Sequence, residues 1–154
     1  MNVVDDLKIL TGNKDANEKS DNSSLPKKTV LIVEDETQLA SVLEEKLVSE
    51  GFRVLKATDG EKGLDTATLE KPDLIILDLL MPNMDGKTML HKLREDPECK
   101  KIPVLVLTNA GEIENIRETQ FYSDAAEFLI KSNVSLEEIV AKVKTHTLAT
   151  YIKP

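Results

Sequence analysis

The sequence predicts an α/β domain: five parallel strands in one sheet, with helices on both faces. Two observations carry this. From Thr29 onward, short β-branched or apolar runs alternate with stretches of helical periodicity, five times over. The run Leu74-Ile75-Ile76-Leu77, between Pro72 and the Pro/Gly-containing segment 82–86, is too short for a helix and apolar at every position, as in strands buried on both faces. Connections too short for anything but right-handed β-α-β crossovers then require a parallel sheet between helical layers.

Each element has its own signal. Thr29 to Glu34 is a β-branched strand. Leu39, Val42, Leu43 and Leu47 recur at helical spacing, and Gly51 supplies the stop. Phe52 to Ala57 is a second strand, and Asp59-Gly60 turns into a helix through Leu64, Ala67 and Leu69. The central strand ends at Asp78, and Asp85-Gly86 precedes a helix carrying Met89, Leu90 and Leu93. Pro103 to Thr108 is the fourth strand, and Glu112 to Gln120 a short polar helix with Ile113 and Ile116 inward. Ala125 to Ile130 is the fifth strand. In the last helix Ser135 and Glu138 form a capping box ahead of a stripe of Leu136, Ile139, Val140 and Val143.

Outside this repeat, residues 11–28 are rich in Gly, Asn, Asp, Ser and Lys, a composition too polar to offset its own ordering entropy. The expected organisation is a flexible N-terminal tail over 1–27, one domain over 28–150, and a short C-terminal tail over 151–154. Val3, Val4, Leu7, Ile9 and Leu10 ahead of the polar stretch have no readable role. The 154 residues carry a net charge of −8, and residues 1–28 are balanced, so the excess lies on the domain. That sign disfavours direct nucleic-acid binding. The sequence offers no membrane-spanning apolar segment and no secretory leader, so a cytoplasmic location is expected. The single Cys99 excludes an intrachain disulfide and a thiolate metal site.

The flavodoxin-like strand order 2-1-3-4-5 is the commonest solution for five such units, and it places strands 1 and 3 side by side at the switch point where ligands bind. Glu34 and Asp35, ending strand 1, should then face Asp78, ending strand 3. Alone, either of the first two would be read as a cap on the helix that follows, and Asp78 as a strand terminator. Together they repel: two such charges 4 Å apart cost roughly 4 kcal/mol at an effective dielectric of about 20. A cation among them is therefore expected. No His or Cys lies nearby, so the donors are all oxygen, which selects a hard ion and favours Mg2+. Strand 4 adds a hydroxyl at its end, Thr108, and strand 5 an ammonium, Lys131.

With those residues in place the chain resembles the receiver domains of two-component response regulators, the CheY-like family, over about residues 28–150. The resemblance rests on Val33-Glu34-Asp35-Glu36, on Pro72 through Gly86, on Leu107-Thr108-Asn109-Ala110 and on Phe128-Leu129-Ile130-Lys131. It implies that Asp78 accepts a phosphoryl group from a phosphohistidine of a histidine kinase or histidine phosphotransfer protein. It implies Mg2+ held by Asp35, Asp78 and the backbone carbonyl of Leu80, with help from Glu34. Thr108, Lys131 and Phe128 would bind the phosphoryl group and switch the surface of helix 4, strand 5 and helix 5, through which a downstream protein or a second copy would dock. Such a domain promotes only its own phosphorylation and dephosphorylation, and is not otherwise an enzyme.

Three features depart from the family pattern. Ser132 follows Lys131 where the family usually has a proline in a cis bond, and a cis bond before Ser would cost about 3 kcal/mol, so a trans bond is expected. Leu80 and Asn109 flank the site entrance, where they are expected to slow attack by water. Phe128 lacks the hydroxyl of a tyrosine.

Rival readings differ in one residue or motif each. A haloacid-dehalogenase-type phosphatase needs a second acid where Leu80 stands. A flavodoxin wants hydroxyls and amides where this first turn is acidic, and there is no Trp to stack on a flavin. A pseudo-receiver that docks without phosphorylation is the alternative. Nothing after Pro154 leaves room for an output domain, so a stand-alone receiver or a fragment is expected.

Overall fold

A computed structural model describes residues 26–116 and 123–152. The expected N-terminal tail therefore lies outside the described residues up to position 25. The elements are β1 (Thr29–Val33), α1 (Thr37–Ser49), β2 (Arg53–Ala57), α2 (Gly60–Glu70), β3 (Leu74–Leu77), α3 (Gly86–Glu95), β4 (Val104–Thr108), α4 (Ala110–Ile116), β5 (Glu127–Ile130) and α5 (Leu136–Ile152). All pairings are parallel and the order is β2-β1-β3-β4-β5. The predicted 2-1-3-4-5 sheet is the observed one.

The period-2 geometry of the strands divides the core into two. Leu31, Val33, Ile75, Leu77, Val104 and Val106 face α2 and α3, against Ala67, Met89, Leu90 and Leu93. Val30, Ile32, Leu74, Ile76, Leu105 and Leu107 face α1 and α5, against Leu43, Leu47, Ile139 and Val143. The lone Cys99 is fully buried in the first layer, its Sγ 3.7 Å from the carbonyl oxygen of Ala67. β1, β3 and β4 are buried along their whole length, whereas β2 and β5, at the sheet edges, are partly open.

Local signals set the helix ends. Gly51 adopts φ 97°, and the amides of Gly51 and Phe52 donate to the carbonyls of Val48 and Leu47 at 3.0 and 3.1 Å, a Schellman closure of α1. Asp59 caps α2 through Lys62 N at 2.8 Å, and Asp85 caps α3 through Thr88 N at 2.8 Å. The capping box at α5 forms as expected, with Ser135 N donating to Glu138 Oε1 at 2.9 Å and Glu138 N to Ser135 Oγ at 3.1 Å.

Three expectations of detail differ. Leu69 is 78% exposed, and Val42 41% exposed, so neither belongs to the buried face of its helix. α4 begins at Ala110, two residues early, because Asn109 Oδ1 accepts from Glu112 N at 3.1 Å and caps the turn; the expected continuation to Gln120 lies outside the described residues. Helix α5 runs on to Ile152, past the boundary drawn at 150. No described helix is long and apolar enough to cross a membrane.

Candidate functional site

Register places the site. Val33 pairs with Leu77, Leu77 with Val106, and Thr108 with Ile130, so the residues that follow or end these strands share one rim of the sheet. Backbone bonds extend the ladder into that rim: Asp78 N donates to Val33 O at 3.1 Å, and Lys131 N to Thr108 O at 2.8 Å. Glu34, Asp35 and Asp78 bring one carboxylate oxygen each to within 4.8 Å of one another. The triplet expected from topology is thus a real cluster, with Glu34 and Asp78 buried and Asp35 exposed.

Asp78 is held by both its oxygens. Thr108 Oγ1 donates to Oδ1 at 3.0 Å, and Lys131 Nζ sits 3.1 Å from Oδ2. Lys131 also reaches Glu34, 3.1 Å from Oε1 and 3.3 Å from Oε2, and lies 3.9 Å from Glu36 Oε1. Neither Glu34 nor Asp35 caps α1: the cap position is Glu36, without a side-chain bond, and Glu34 Oε2 instead accepts from Glu36 N at 3.1 Å. The described backbone has no cis peptide bond, so Lys131–Ser132 is trans as expected, and Asn133 N closes the turn onto Ile130 O at 2.9 Å.

One ammonium does not neutralise three carboxylates. Burial first, and the neighbouring Asp78 charge second, push the Glu34 carboxyl up to about 7, against the opposing pull of the Glu36 amide and Lys131. Burial works to lower Lys131, but the carboxylates of Asp78 and Glu34 outweigh it and hold the ammonium above its ordinary range. Burial and the neighbouring carboxylate thus both disfavour a charge on Glu34. The donor set, oxygen only and partly open through Asp35, fits a hard divalent cation.

The remaining predicted residues sit around this cluster. Leu80 is half-exposed, and its N–H points to Asp78 Oδ1 at a long 3.4 Å. Asn109 is exposed beside Thr108, with its amide oxygen engaged in the α4 cap. Phe128 pairs in register with Val106 and packs half-buried on the layer that includes Val104 and Ile116. On the α1 side of Lys131 a groove of about 450 Å³ opens between Leu39, Val42, Leu136 and Ile139, with Leu107 at its lining.

Sequence reasoning missed a bond between loops. Asn83 Nδ2 donates to Asp59 Oδ2 at 2.8 Å, and Gly60 N to Met84 O at 2.9 Å, fastening the segment after Asp78 onto the start of α2. Gly86 closes the other end: its N donates to Leu79 O at 3.0 Å, and a Cβ there would lie 2.8 Å from Leu79 Cα and overlap the Asp78 carbonyl. The available signal was slight, an Asn in a turn, where φ of 65° is tolerated.

An acidic cluster, a hydroxyl and an ammonium thus meet at the carboxyl ends of a 2-1-3-4-5 parallel sheet. Residues 30–144 match the family described as the response regulator receiver domain, and the chain belongs to that family. It is similar to the DNA-binding dual master transcriptional regulator RpaA of Synechocystis sp., 35% identical over 115 residues, covering 75% of this chain and 47% of that protein. It is 39% identical over 103 residues to the response regulator PleD of Caulobacter vibrioides, covering 66% of this chain and 22% of that protein. The chain thus spans about half or less of the length of these relatives. Among solved structures it resembles the response regulator TrrA of Thermotoga maritima, crystallised in complex with Mg2+-BeF, at 29% identity and a TM-score of 0.68, covering 77% of this chain and 98% of that one.

Proposed function

We propose that this receiver domain takes a phosphoryl group on Asp78 from a phosphohistidine and passes the signal on through its α4–β5–α5 face. The supporting observation is the grip on Asp78, one oxygen bonded to Thr108 and the other to Lys131, inside a carboxylate cluster with too little positive charge. A carboxylate is already a nucleophile and needs no general base. One Asp78 oxygen attacks phosphorus, the N–P bond breaks, the histidine imidazole leaves with its electron pair, and an acyl phosphate remains. Lys131, already within 3.1 Å of the carboxylate, faces the negative charge that gathers on the phosphoryl oxygens.

The residues fit Mg2+, with Asp35, Asp78 and the Leu80 carbonyl as ligands and Glu34 in support. When bound, it would neutralise phosphoryl oxygens and the cluster itself. The Thr108 hydroxyl must leave Asp78 Oδ1 to reach a phosphoryl oxygen. Since Thr108 ends β4 and α4 starts two residues later, that movement carries to α4, and Phe128 repacks by apolar contact alone because it has no hydroxyl. Leu80 and Asn109 at the mouth hinder water and prolong the acyl phosphate, which the domain itself slowly loses.

The partners of this reading are a histidine kinase or histidine phosphotransfer protein, a downstream protein target, and a second copy through the switch face, all in the cytoplasm. The DNA-binding in the name of RpaA belongs to that whole protein, and the acidic balance of this chain argues against direct nucleic-acid contact. The retained Asp78, Asp35 and Lys131 do not favour a docking module that works without phosphorylation.

The test is incubation with a small-molecule phosphodonor and Mg2+, followed by intact mass. A gain of one phosphoryl group in the wild type that is absent in Asp78→Asn supports the reading. No gain in the wild type, or an equal gain in the variant, overturns it.

A further inference from the structure

The phosphoacceptor loop is built so that its backbone, not only its acid, must be in place. Between Asp78 and Gly86 the chain passes from β3 to α3 through a series of bends. At its base Gly86 N is bonded to Leu79 O at 3.0 Å, with no room for a Cβ. Just before α3 the loop is also held from outside. What holds it there is α2: Gly60 N donates to Met84 O at 2.9 Å, and Asn83 Nδ2 donates to Asp59 Oδ2 at 2.8 Å.

Asp59 serves two loops at once. It is buried, 4% exposed, and its other oxygen accepts from Lys62 N at 2.8 Å as the cap of α2. Its carboxyl is held below the usual range, first by the Lys62 amide and then by the Asn83 amide. The acid is thereby fixed in place by the helix, and Asn83, in the left-handed region at φ 65°, brings the loop to it. Leu80 lies three residues before Asn83 in the same loop.

We propose that Asn83 and Asp59 are positioning residues: their bond holds the loop so that the Leu80 backbone oxygen faces the carboxylate cluster, and divalent-ion affinity is set by this contact outside the cluster. The inference rests on the metal reading above.

The variants separate the bond from the local roles of its partners. Asn83→Gly keeps the positive φ at no steric cost but removes the amide. The double substitution Asn83→Asp with Asp59→Asn reverses donor and acceptor, while Asn remains a good helix cap and Asp still tolerates the left-handed region. Two readouts are taken on the full chain: Mg2+ affinity by calorimetry, and amide hydrogen exchange across residues 80–86 in EDTA. Asn83→Gly should exchange faster across the loop and bind Mg2+ at least threefold more weakly. The reversed pair should return both to within twofold of wild type.

Unchanged exchange in Asn83→Gly would show that the bond does not hold the loop, and unchanged affinity with faster exchange that holding the loop does not position the ion. Either overturns the inference. A wild type that binds no Mg2+ instead overturns the metal reading itself.

Discussion

Glu34 is the residue at which the cost of this site is concentrated. Its carboxyl, pushed up to about 7 by burial and then by Asp78, takes up a proton in the folded state that the unfolded chain, titrating near 4.5, does not hold between those two values. Folding stability contributed by this group is therefore lost as pH rises across that window. In EDTA, the melting temperature of Glu34→Gln relative to wild type should climb from pH 5 to pH 7 and then level off, reaching roughly 5 °C. A difference that does not vary with pH would contradict this origin. The site's strand-end residues were legible because each ends or follows a run of obvious apolar character. The Asn83–Asp59 bond was not, because it joins two loops 24 residues apart and each partner also has a sufficient local role, turn former and helix cap.

At the scale of elements, sequence signals worked where they act within one turn and faded where neighbours decide. The Ser135–Glu138 box and the Gly51 closure are local, and both formed as read. Val42 and Leu69 were read only as apolar positions of their helices, and neither α1 nor α2 is covered there, since periodicity says nothing about what lies opposite. α4 started early because Asn109, read only as an entrance residue, caps it. The α5 cap is the cleanest test of an element's own contribution. Ser135→Ala should lower stability by about 1 kcal/mol in denaturant unfolding, with the slope unchanged. A loss well under half of that would mean the packing of Ile139, Val140 and Val143 alone sets the helix start.

For the molecule as a whole, the sheet separates two apolar layers and gathers its chemistry on one rim, which is why strand order was sufficient to predict which side chains meet. Short crossovers required a parallel sheet, a constraint on the entire chain, and the order was read as the commonest arrangement of five such units.

The buried Cys99 gives that cooperative packing a direct reporter. Its thiol is shielded at the interior of one layer, and burial raises it further from the reactive thiolate. A colorimetric disulfide reagent can meet the sulfur only when the layer opens, so the rate of colour development in native buffer becomes a clock for excursions of the fold. That rate should rise with urea in step with global unfolding. A burst of labelling within the mixing time would instead reveal a loose edge near residue 99. Because the chain has one cysteine and no tryptophan, this chemistry supplies, without any introduced label, the stability readout that indole fluorescence provides elsewhere.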